Sequence, residues 1–331
     1  MCALDIVTPM PSIDLPLESL RTYQSADPEP GDFDTFWRAN LEESRRLPLD
    51  ARFETVDAGL PLFDVFDVTY AGFGGHPIKG WYIRPAGISS GLTAVVKFIG
   101  YNGGRGFPQD HLLWPASGRA VFVMDTRGQG GGWSQGSTAD PVGSSAAQAG
   151  YMTRGITDPG QYFYRRVFID AVRAVDALRQ RPEVDAGRMV VAGGSQGGGI
   201  TLAAAGLLGA DVRAAMPDVP FLCNFSRGVG LALRDPYGEI ARYLAVHREK
   251  ADLAFATLSY FDGVNFARRA QAPAIFSVAL MDDICPPSTV FAAYNAYAGK
   301  KAIELYRFNN HEGGGGHHER AQIAWLVAQQ L

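Results

Sequence analysis

The first candidate for chemistry is Ser195, which Gly193 and Gly197 flank in the pattern G-x-S-x-G. The apolar run 189–192 precedes the pattern, and the small and apolar residues 201–208 follow it. In this pattern a strand turns sharply into a helix and holds the serine hydroxyl clear of the sheet. Such a tight turn brings backbone against backbone, which glycine tolerates best. The pattern indicates a nucleophile. The alternative is an ordinary glycine-rich connection, since short patterns also arise by chance.

A reactive serine needs partners, because its hydroxyl is a weak nucleophile without a histidine base that a carboxylate orients. Asp282 directly follows the apolar run 274–281, and His311 follows the run 302–308 in a glycine-rich segment. Both fall at the carboxyl ends of predicted strands, in the chain order serine, acid, histidine of α/β-hydrolases. We therefore predict Ser195, Asp282 and His311 as the catalytic residues.

Two other aspartates compete for the role of the acid. Asp283 is adjacent to Asp282, so their side chains diverge and only one can face the histidine; Asp282 is preferred because it ends the strand. Asp218 follows the short run 214–217, and we interpret it as a turn or helix-capping residue.

His311 is preferred over the other histidines, because core packing poorly explains a histidine in a glycine-rich loop after the last strand. His317 and His318 open the last predicted helix, where we expect solvated positions.

Acyl transfer also requires hydrogen-bond donors for the developing oxyanion. These are usually the backbone N–H after the nucleophile and a second N–H from the loop after an earlier strand. The residue after the serine is Gln196, and the predicted strand 93–99 is followed by the glycine-rich segment 100–106, with Tyr101 at the donor position. A plain flexible turn does not explain glycines at this place. We predict Tyr101 and Gln196 as the oxyanion donors.

The elements that must position these residues alternate between strand and helix. Predicted strands cover residues 62–70, 78–85, 93–99, 120–124, 188–192, 214–217, 274–281 and 302–308. Predicted helices cover residues 33–46, 165–179, 199–208, 288–297 and 320–331, and Ser288 or Thr289 is expected to cap the fourth. This order predicts one α/β domain over 1–331, with a mostly parallel central sheet, an N-terminal antiparallel hairpin and helices on both faces. Residues 1–50 are expected to form an N-terminal arm, and 219–270 a helical excursion.

The composition of the chain argues against several classes of function. The hydrophobic fraction of 47% is ample for a large core, and a net charge of −4 with scattered Lys and Arg argues against binding of nucleic acid or a membrane surface. Cys2, Cys223 and Cys285 are too few and too widely spaced for a disulfide framework or a zinc site. We find no dinucleotide or P-loop motif, so we expect neither a cofactor nor a metal. With no signal-peptide pattern or membrane-length apolar run, we expect a soluble cytoplasmic protein.

The segment 125–133, DTRGQGGGW, follows the strand 120–124 and is unusually rich in glycine. It either holds the loops beneath the serine turn or lines the pocket through Trp133, and we prefer the structural interpretation.

Nine segments together resemble the acetyl xylan esterase/cephalosporin-C deacetylase family, carbohydrate esterase family 7. They are GYNGGRGFP, DTRGQGGGW, MTRGI, FYRRVFIDAVRAV, GGSQGGG, DVPFLCNF, LSYFDGVNFA, MDDICPPSTVFAAYNAY and NNHEGGG. The resemblance implies Ser195 as nucleophile, Asp282 as acid, His311 as base, and Tyr101 and Gln196 as oxyanion donors. It also implies deacetylation of short xylo-oligosaccharides and of cephalosporin C, and a homohexamer whose active sites face an internal cavity. The GGGGHH tract after His311 is longer than the family pattern.

Two other functions stay open. A peptidase of the prolyl-oligopeptidase kind shares the serine turn and the chain order of the triad. A noncatalytic binding protein with the α/β-hydrolase fold is disfavoured by the intact serine, acid and histidine.

Overall fold

The computed structural model describes residues 13–142 and 147–331, so Cys2 lies outside the described residues. Within these ranges nine strands form one sheet: β1 (Arg52–Thr55), β2 (Phe63–Ala71), β3 (Pro77–Pro85), β4 (Leu92–Phe98), β5 (Ala120–Met124), β6 (Val184–Gly194), β7 (Ala214–Asp218), β8 (Ala274–Ala279) and β9 (Lys301–Tyr306). The α-helices there are α1 (Leu17–Thr22), α2 (Phe33–Arg45), α3 (Leu113–Ala116), α4 (Phe163–Leu178), α5 (Gln196–Leu208), α6 (Phe225–Leu231), α7 (Tyr237–Val246), α8 (Ala251–Ser259), α9 (Gly263–Ala267), α10 (Pro287–Ala296) and α11 (Gly315–Ala328).

The sheet is antiparallel at its N-terminal edge and parallel elsewhere. β1, β2 and β3 pair antiparallel in sequence order, and β3 also pairs antiparallel with β5. The remaining pairs are parallel, which gives the strand order β1-β2-β3-β5-β4-β6-β7-β8-β9. The predicted mostly parallel sheet with an antiparallel hairpin is confirmed. Because the order reverses around β4, the crevice between the carboxyl ends of β4 and β6 is the expected ligand site.

Helices cover both faces of the sheet, as predicted, and the strands contribute side chains to two hydrophobic cores, one on each face. In β4, Ala94, Val96 and Phe98 point into the larger core with α4 and α5, whereas Val95 points into the smaller core with α3 and α11. Successive strand side chains alternate between faces, so a strand buried on both sides reads as a continuous apolar run. This explains why the run of β4 shows no polar alternation.

Helix α4 carries charged side chains into the interior. Of its 16 residues, 14 are buried. Asp170 pairs with Arg127 at 2.6 Å, and Arg166 pairs with Asp140 at 2.8 Å. The polar side of the predicted amphipathic helix therefore faces buried partners rather than water, because unpaired buried charges would be strongly destabilising.

Helix α2 packs on the body through aromatic side chains. Trp37 is buried, its Nε1 donates to the backbone oxygen of Tyr260 at 2.9 Å, and its ring lies 5.5 Å from that of Phe261. The neighbouring Phe36 ring lies 4.8 Å from Tyr260. The N-terminal helices thereby contact the helical segment α6–α9, which follows β7. No helix in the described ranges is long and apolar enough to cross a membrane.

The prediction that Ser288 or Thr289 caps α10 is wrong. The helix begins at Pro287, and neither side chain caps it. Instead, the Asp14 carboxylate accepts the Ser288 backbone N–H at 2.7 Å. The free N–H groups of a helix terminus need an acceptor, and here a residue distant in sequence supplies it.

The expectation that His318 is solvated is also wrong. Helix α11 begins at Gly315, five residues before the predicted start, so His318 lies in its first turns and faces inward. His318 is 1% exposed, and its Nδ1 lies 3.1 Å from the Tyr306 hydroxyl. Burial lowers the pKa of this histidine. His317 is exposed, as expected.

Asp262 is expected to make the fold less stable as pH rises, which is the opposite of the usual effect of a hydrogen-bonded carboxylate. Its carboxylate caps α9 and accepts three backbone N–H groups, yet burial raises its pKa to about 6. A folded pKa above the unfolded value means that protonated Asp262 stabilises the fold, and this contribution is lost as pH rises through the folded pKa. The free energy of unfolding of the wild type should therefore fall as pH rises from 5 to 7, whereas Asp262→Asn has no carboxyl group to titrate. We expect the variant to become more stable relative to the wild type by roughly 1 kcal/mol over this range.

Denaturant unfolding at several pH values measures this difference. Asp252→Asn, an exposed change on α8, controls for the loss of one negative charge. A stability difference between Asp262→Asn and the wild type that does not change with pH would contradict the assignment.

Candidate active site

Ser195 occupies a sharp turn between β6 and α5. Its φ of 56° and ψ of −120° lie in a region that non-glycine residues rarely adopt. The surrounding backbone holds this conformation: the Ser195 N–H donates to the backbone carbonyl oxygen of Asp218 at 2.9 Å, and the Ser195 carbonyl oxygen accepts the N–H of Phe221 at 2.9 Å. Strained turns persist only where neighbouring contacts determine them, and they concentrate at functional sites. The turn lies at the carboxyl end of β6, beside β4.

The glycines around Ser195 allow the loop after β4 to lie directly against the turn. A Cβ added at Gly197 would lie 2.2 Å from the Phe98 carbonyl oxygen, and one at Gly193 would lie 2.7 Å from the same atom. Real Cβ atoms do not approach backbone this closely. Glycine at both positions is therefore a packing requirement of the close approach.

Gly197→Ala is expected to destabilise the protein by about 1–3 kcal/mol and to lower kcat, because the backbone around the turn must shift to accommodate the methyl group. Gly230→Ala is the matched control, since Gly230 lies in helix α6 with open space around its added Cβ. Alanine is the better helix former, so this control should be neutral or slightly stabilising. Equal melting temperatures and equal kcat for the two variants would contradict the packing argument.

Asp282 and His311 form a hydrogen-bonded pair in which the carboxylate is buried and the imidazole is partly exposed. The Asp282 Oδ2 lies 2.8 Å from His311 Nδ1, and its Oδ1 accepts the N–H groups of Ile284 and Cys285. The carboxylate is 0% exposed. A carboxylate only accepts hydrogen bonds, so Nδ1 carries the proton and Nε2 is left as an acceptor. The pair has the arrangement of an oriented general base.

The other two aspartates face elsewhere. Asp283 lies 3.4 Å from Arg234 and is partly exposed. Asp218 is the last residue of β7, and its carboxylate accepts the Ser277 hydroxyl, so the interpretation as a turn or capping residue is wrong. The structure brings Asp282, and neither alternative, into hydrogen-bond contact with His311.

Cys285 links the serine turn to the pair and was not singled out from the sequence. Its sulfur lies within 4.8 Å of a carboxylate oxygen of Asp282 and of a ring nitrogen of His311, and the Ser195 side chain hydrogen-bonds to it. Burial and the Asp282 charge raise the pKa of the Cys285 thiol, and the Ser195 hydrogen bond opposes this. The contact places the Ser195 side chain beside the pair. In the sequence, only its position three residues after Asp282 indicated that Cys285 could lie near the catalytic residues.

The predicted oxyanion donors lie where free N–H groups are available. In the described part of the chain, neither the Tyr101 nor the Gln196 backbone N–H donates a hydrogen bond. Gln196 is the first residue of α5, and the first N–H groups of a helix have no partner within it. Helix N-termini also favour negative charge. The two loops can therefore supply donors to an anionic oxygen.

The Tyr101 side chain is fixed by a carboxylate from α7. The Tyr101 hydroxyl donates to Glu239 at 2.7 Å, and the same carboxylate accepts the N–H groups of Gly150 and Met152. Burial raises the pKa of Glu239, and burial together with this carboxylate raises that of Tyr101. The sequence offered no signal for Glu239, because it lies in the helical segment far along the chain.

The segment 125–133 holds neighbouring loops, in line with the preferred interpretation. Asp125 accepts the N–H groups of Arg105 and Ser137 at 2.8 and 2.6 Å. Trp133 is 66% exposed, and its Nε1 donates to the Tyr101 carbonyl oxygen at 2.9 Å. The same segment therefore also presents an aromatic side chain next to the Tyr101 loop.

The mostly parallel sheet, the serine turn after β6 and the Asp–His pair after β8 and β9 define an α/β-hydrolase. Residues 10–329 match the Acetyl xylan esterase (AXE1) family, and the chain belongs to that family.

Its relatives include solved structures that align along nearly the whole chain. The acetyl xylan esterase from Paenibacillus sp. R4 is 41% identical, with a TM-score of 0.87 over 95% of this chain and 99% of that one. Acetyl xylan esterase 1 from Thermoanaerobacterium sp. JW/SL YS485 is 34% identical, with a TM-score of 0.86 over 96% of this chain and 99% of that one.

A curated relative is longer. The acetyl esterase Axe7A of Xylanibacter ruminicola is 27% identical over 285 residues, 85% of this chain, and the chain spans 63% of that protein's length. An acylaminoacyl peptidase of Pyrococcus horikoshii, 15% identical with a TM-score of 0.56 over 87% of this chain and 42% of that one, shares the fold alone.

Proposed function

We propose that the protein is a serine carboxylesterase that removes acetyl groups from acetylated xylo-oligosaccharides and from cephalosporin C-type esters. The observation that carries this proposal is the Asp282–His311 hydrogen bond of 2.8 Å, formed beside the strained Ser195 turn. The family to which the chain belongs, and the names of its relatives, support acetyl esters as the substrate class.

The first step is acylation. His311 Nε2 takes the proton of the Ser195 hydroxyl while the serine oxygen attacks the carbonyl carbon of the acetyl group. The carbonyl oxygen becomes an oxyanion, and Asp282 stabilises the imidazolium that forms. His311 then gives the proton to the leaving alcohol oxygen, the ester C–O bond breaks, and the acetyl group stays on the serine.

The second step is deacylation. His311 takes a proton from a water molecule, whose oxygen attacks the acetyl carbon. The second tetrahedral intermediate collapses with release of acetate, and the proton returns to the Ser195 oxygen.

In both steps the Tyr101 and Gln196 backbone N–H groups donate to the oxyanion. They are preorganised because α5 and the loop after β4 fix their positions before substrate arrives. Donors aimed at developing charge contribute about 10²–10³-fold each to kcat in enzymes of this kind.

A substrate panel tests the proposal. We expect hydrolysis of acetylated xylo-oligosaccharides, cephalosporin C and p-nitrophenyl acetate, with kcat/KM falling as the acyl chain lengthens. Aminoacyl-arylamides should not be hydrolysed. Activity on arylamides without activity on acetyl esters would favour a peptidase, and failure of a fluorophosphonate to label Ser195 would favour a noncatalytic protein.

The assembly and location are further proposals. The family resemblance suggests a homohexamer, which light scattering coupled to size-exclusion chromatography tests. A location in the cytoplasm is tested by cell fractionation.

A further inference from the structure

Gln129 lies between the two loops that carry the predicted oxyanion donors. Its side chain is 0% exposed. The Gln129 Oε1 accepts the backbone N–H of Asn102 at 2.8 Å and lies 3.2 Å from Gln196 Nε2. Its Nε2 donates to Gln196 Oε1 at 2.8 Å. One amide group therefore contacts the residue after Tyr101 and the side chain of Gln196.

The peptide between Tyr101 and Asn102 is held at both ends. Its N–H donates to Gln129, and its carbonyl oxygen accepts Trp133 Nε1 at 2.9 Å. Asn102 has a φ of 60°, an uncommon conformation for a non-glycine residue. Fixing this peptide plane restricts the direction of the preceding Tyr101 N–H, because only the φ and ψ of Tyr101 separate them. The Tyr101 side chain is in turn held by Glu239, which restricts these two dihedrals further.

Gln196 is held just as completely. Its Oε1 also accepts the Tyr164 hydroxyl at 2.8 Å, and its Nε2 donates to the Ile99 carbonyl oxygen at 3.1 Å. The side chain of the residue that offers one oxyanion donor is thus bonded to the loop that offers the other. A chain of three groups (Ile99, Gln196 and Gln129) spans the gap between the loops.

The chemistry of this position requires an amide. Gln129 must accept on its oxygen and donate from its nitrogen at the same time, which a carboxylate or an apolar side chain cannot do. Leucine would leave the Asn102 N–H without its acceptor and the Gln196 Oε1 without one of its two donors. Glutamate would place a carboxylate oxygen against the Gln196 Oε1. Unsatisfied buried polar groups are costly, so the loops would move to find new partners.

We propose that Gln129 is a positioning residue that sets the distance and direction of the two oxyanion donors. It touches neither substrate nor the reacting atoms, and it acts through the Asn102 peptide and the Gln196 side chain. The proposal rests on the proposed function, because it requires that Ser195 forms a tetrahedral intermediate. It also gives the segment 125–133 a role in catalysis in addition to its role in holding loops.

The test compares Gln129→Leu and Gln129→Glu with the wild type. The readouts are kcat and KM on p-nitrophenyl acetate per active site titrated with a fluorophosphonate, and the inhibition constant of a trifluoromethyl ketone. The Ser195 oxygen adds to this ketone and leaves an oxyanion in the same position as in the reaction. We expect kcat to fall by about 10–100-fold with KM nearly unchanged, since part of the oxyanion stabilisation is lost. The inhibition constant should rise by the same factor.

Gln148→Leu is the matched control, because Gln148 is exposed and donates to the Gly131 carbonyl oxygen in the same segment. It should leave kcat and the inhibition constant unchanged. If Gln129→Leu does not fold, Tyr164→Phe provides the test, since it removes one hydrogen bond to the same Gln196 oxygen. It should lower kcat and raise the inhibition constant together, by a smaller factor.

A purely structural role would lower the melting temperature and the titrated fraction but leave kcat per site and the inhibition constant at wild-type values. That result would overturn the proposal. If Ser195→Ala were as active as the wild type, the proposed function would be wrong, and the role of Gln129 with it. An inactive Ser195→Ala together with unaffected Gln129 variants would overturn the role of Gln129 alone.

Discussion

Ser195→Ala is expected to lower kcat on p-nitrophenyl acetate by about 10⁴–10⁶-fold, the range seen when the nucleophile of a triad is removed. Without the hydroxyl no acyl-enzyme forms, and water must attack the acetyl group directly. The oxyanion donors would remain and should support only a small residual rate. KM should change little, because the methyl group of alanine leaves the rest of the site in place.

The melting temperature separates loss of chemistry from loss of structure. The Ser195 backbone makes the hydrogen bonds to Asp218 and Phe221 that hold the turn, and alanine retains both. We therefore expect the variant to melt close to the wild type. Activity near the wild-type level in a well-folded Ser195→Ala would exclude the proposed mechanism.

Asp282→Asn is expected to lower kcat by about 10³–10⁴-fold, since an amide facing His311 favours the wrong tautomer of the imidazole. Asparagine can keep its oxygen on the N–H groups of Ile284 and Cys285. Its nitrogen then points at Nδ1 and cannot accept the hydrogen bond from Nδ1–H that the carboxylate accepts. The histidine loses both its orientation and the charge that stabilises the imidazolium.

Asp283→Asn is the control for this change, because the two aspartates are adjacent and only one contacts the histidine. Asp283 faces Arg234 at 3.4 Å, and a partly exposed pair of this kind contributes little. Its replacement should change kcat only a few-fold at most. A larger loss in Asp283→Asn than in Asp282→Asn would transfer the role of the acid to Asp283.

The central strands were predictable because their apolar runs record burial on both faces. The run around Val121 is apolar throughout and the run around Val95 is mostly apolar, and both form central strands that pair parallel with each other. The order of Ser195, Asp282 and His311 after such strands then predicted which side chains would meet. The carboxyl ends of neighbouring parallel strands lie at one edge of a sheet, so chain order alone carried this information.

Contacts between distant segments were not predictable in the same way. The local sequence predicted that Ser288 or Thr289 would cap α10, but Asp14 in the N-terminal arm accepts the N–H at this helix terminus. The burial of His318 follows from an early start of α11, which the glycines before it concealed. Glu239 and Gln129 each hydrogen-bond to residues that lie far away in the sequence. Periodicity records which face of an element is buried, and it does not record which distant side chain lies opposite.

Covalent acetylation of Ser195 is the central step of the proposed mechanism and can be measured directly. The enzyme is mixed rapidly with p-nitrophenyl acetate, quenched in acid during the first turnovers and digested for mass spectrometry. We expect the peptide that contains Ser195 to carry one acetyl group, which disappears when substrate is exhausted and is absent from Ser195→Ala. Rapid product release with no acetyl group on Ser195, or with the acetyl group on the neighbouring Cys285, would contradict the mechanism.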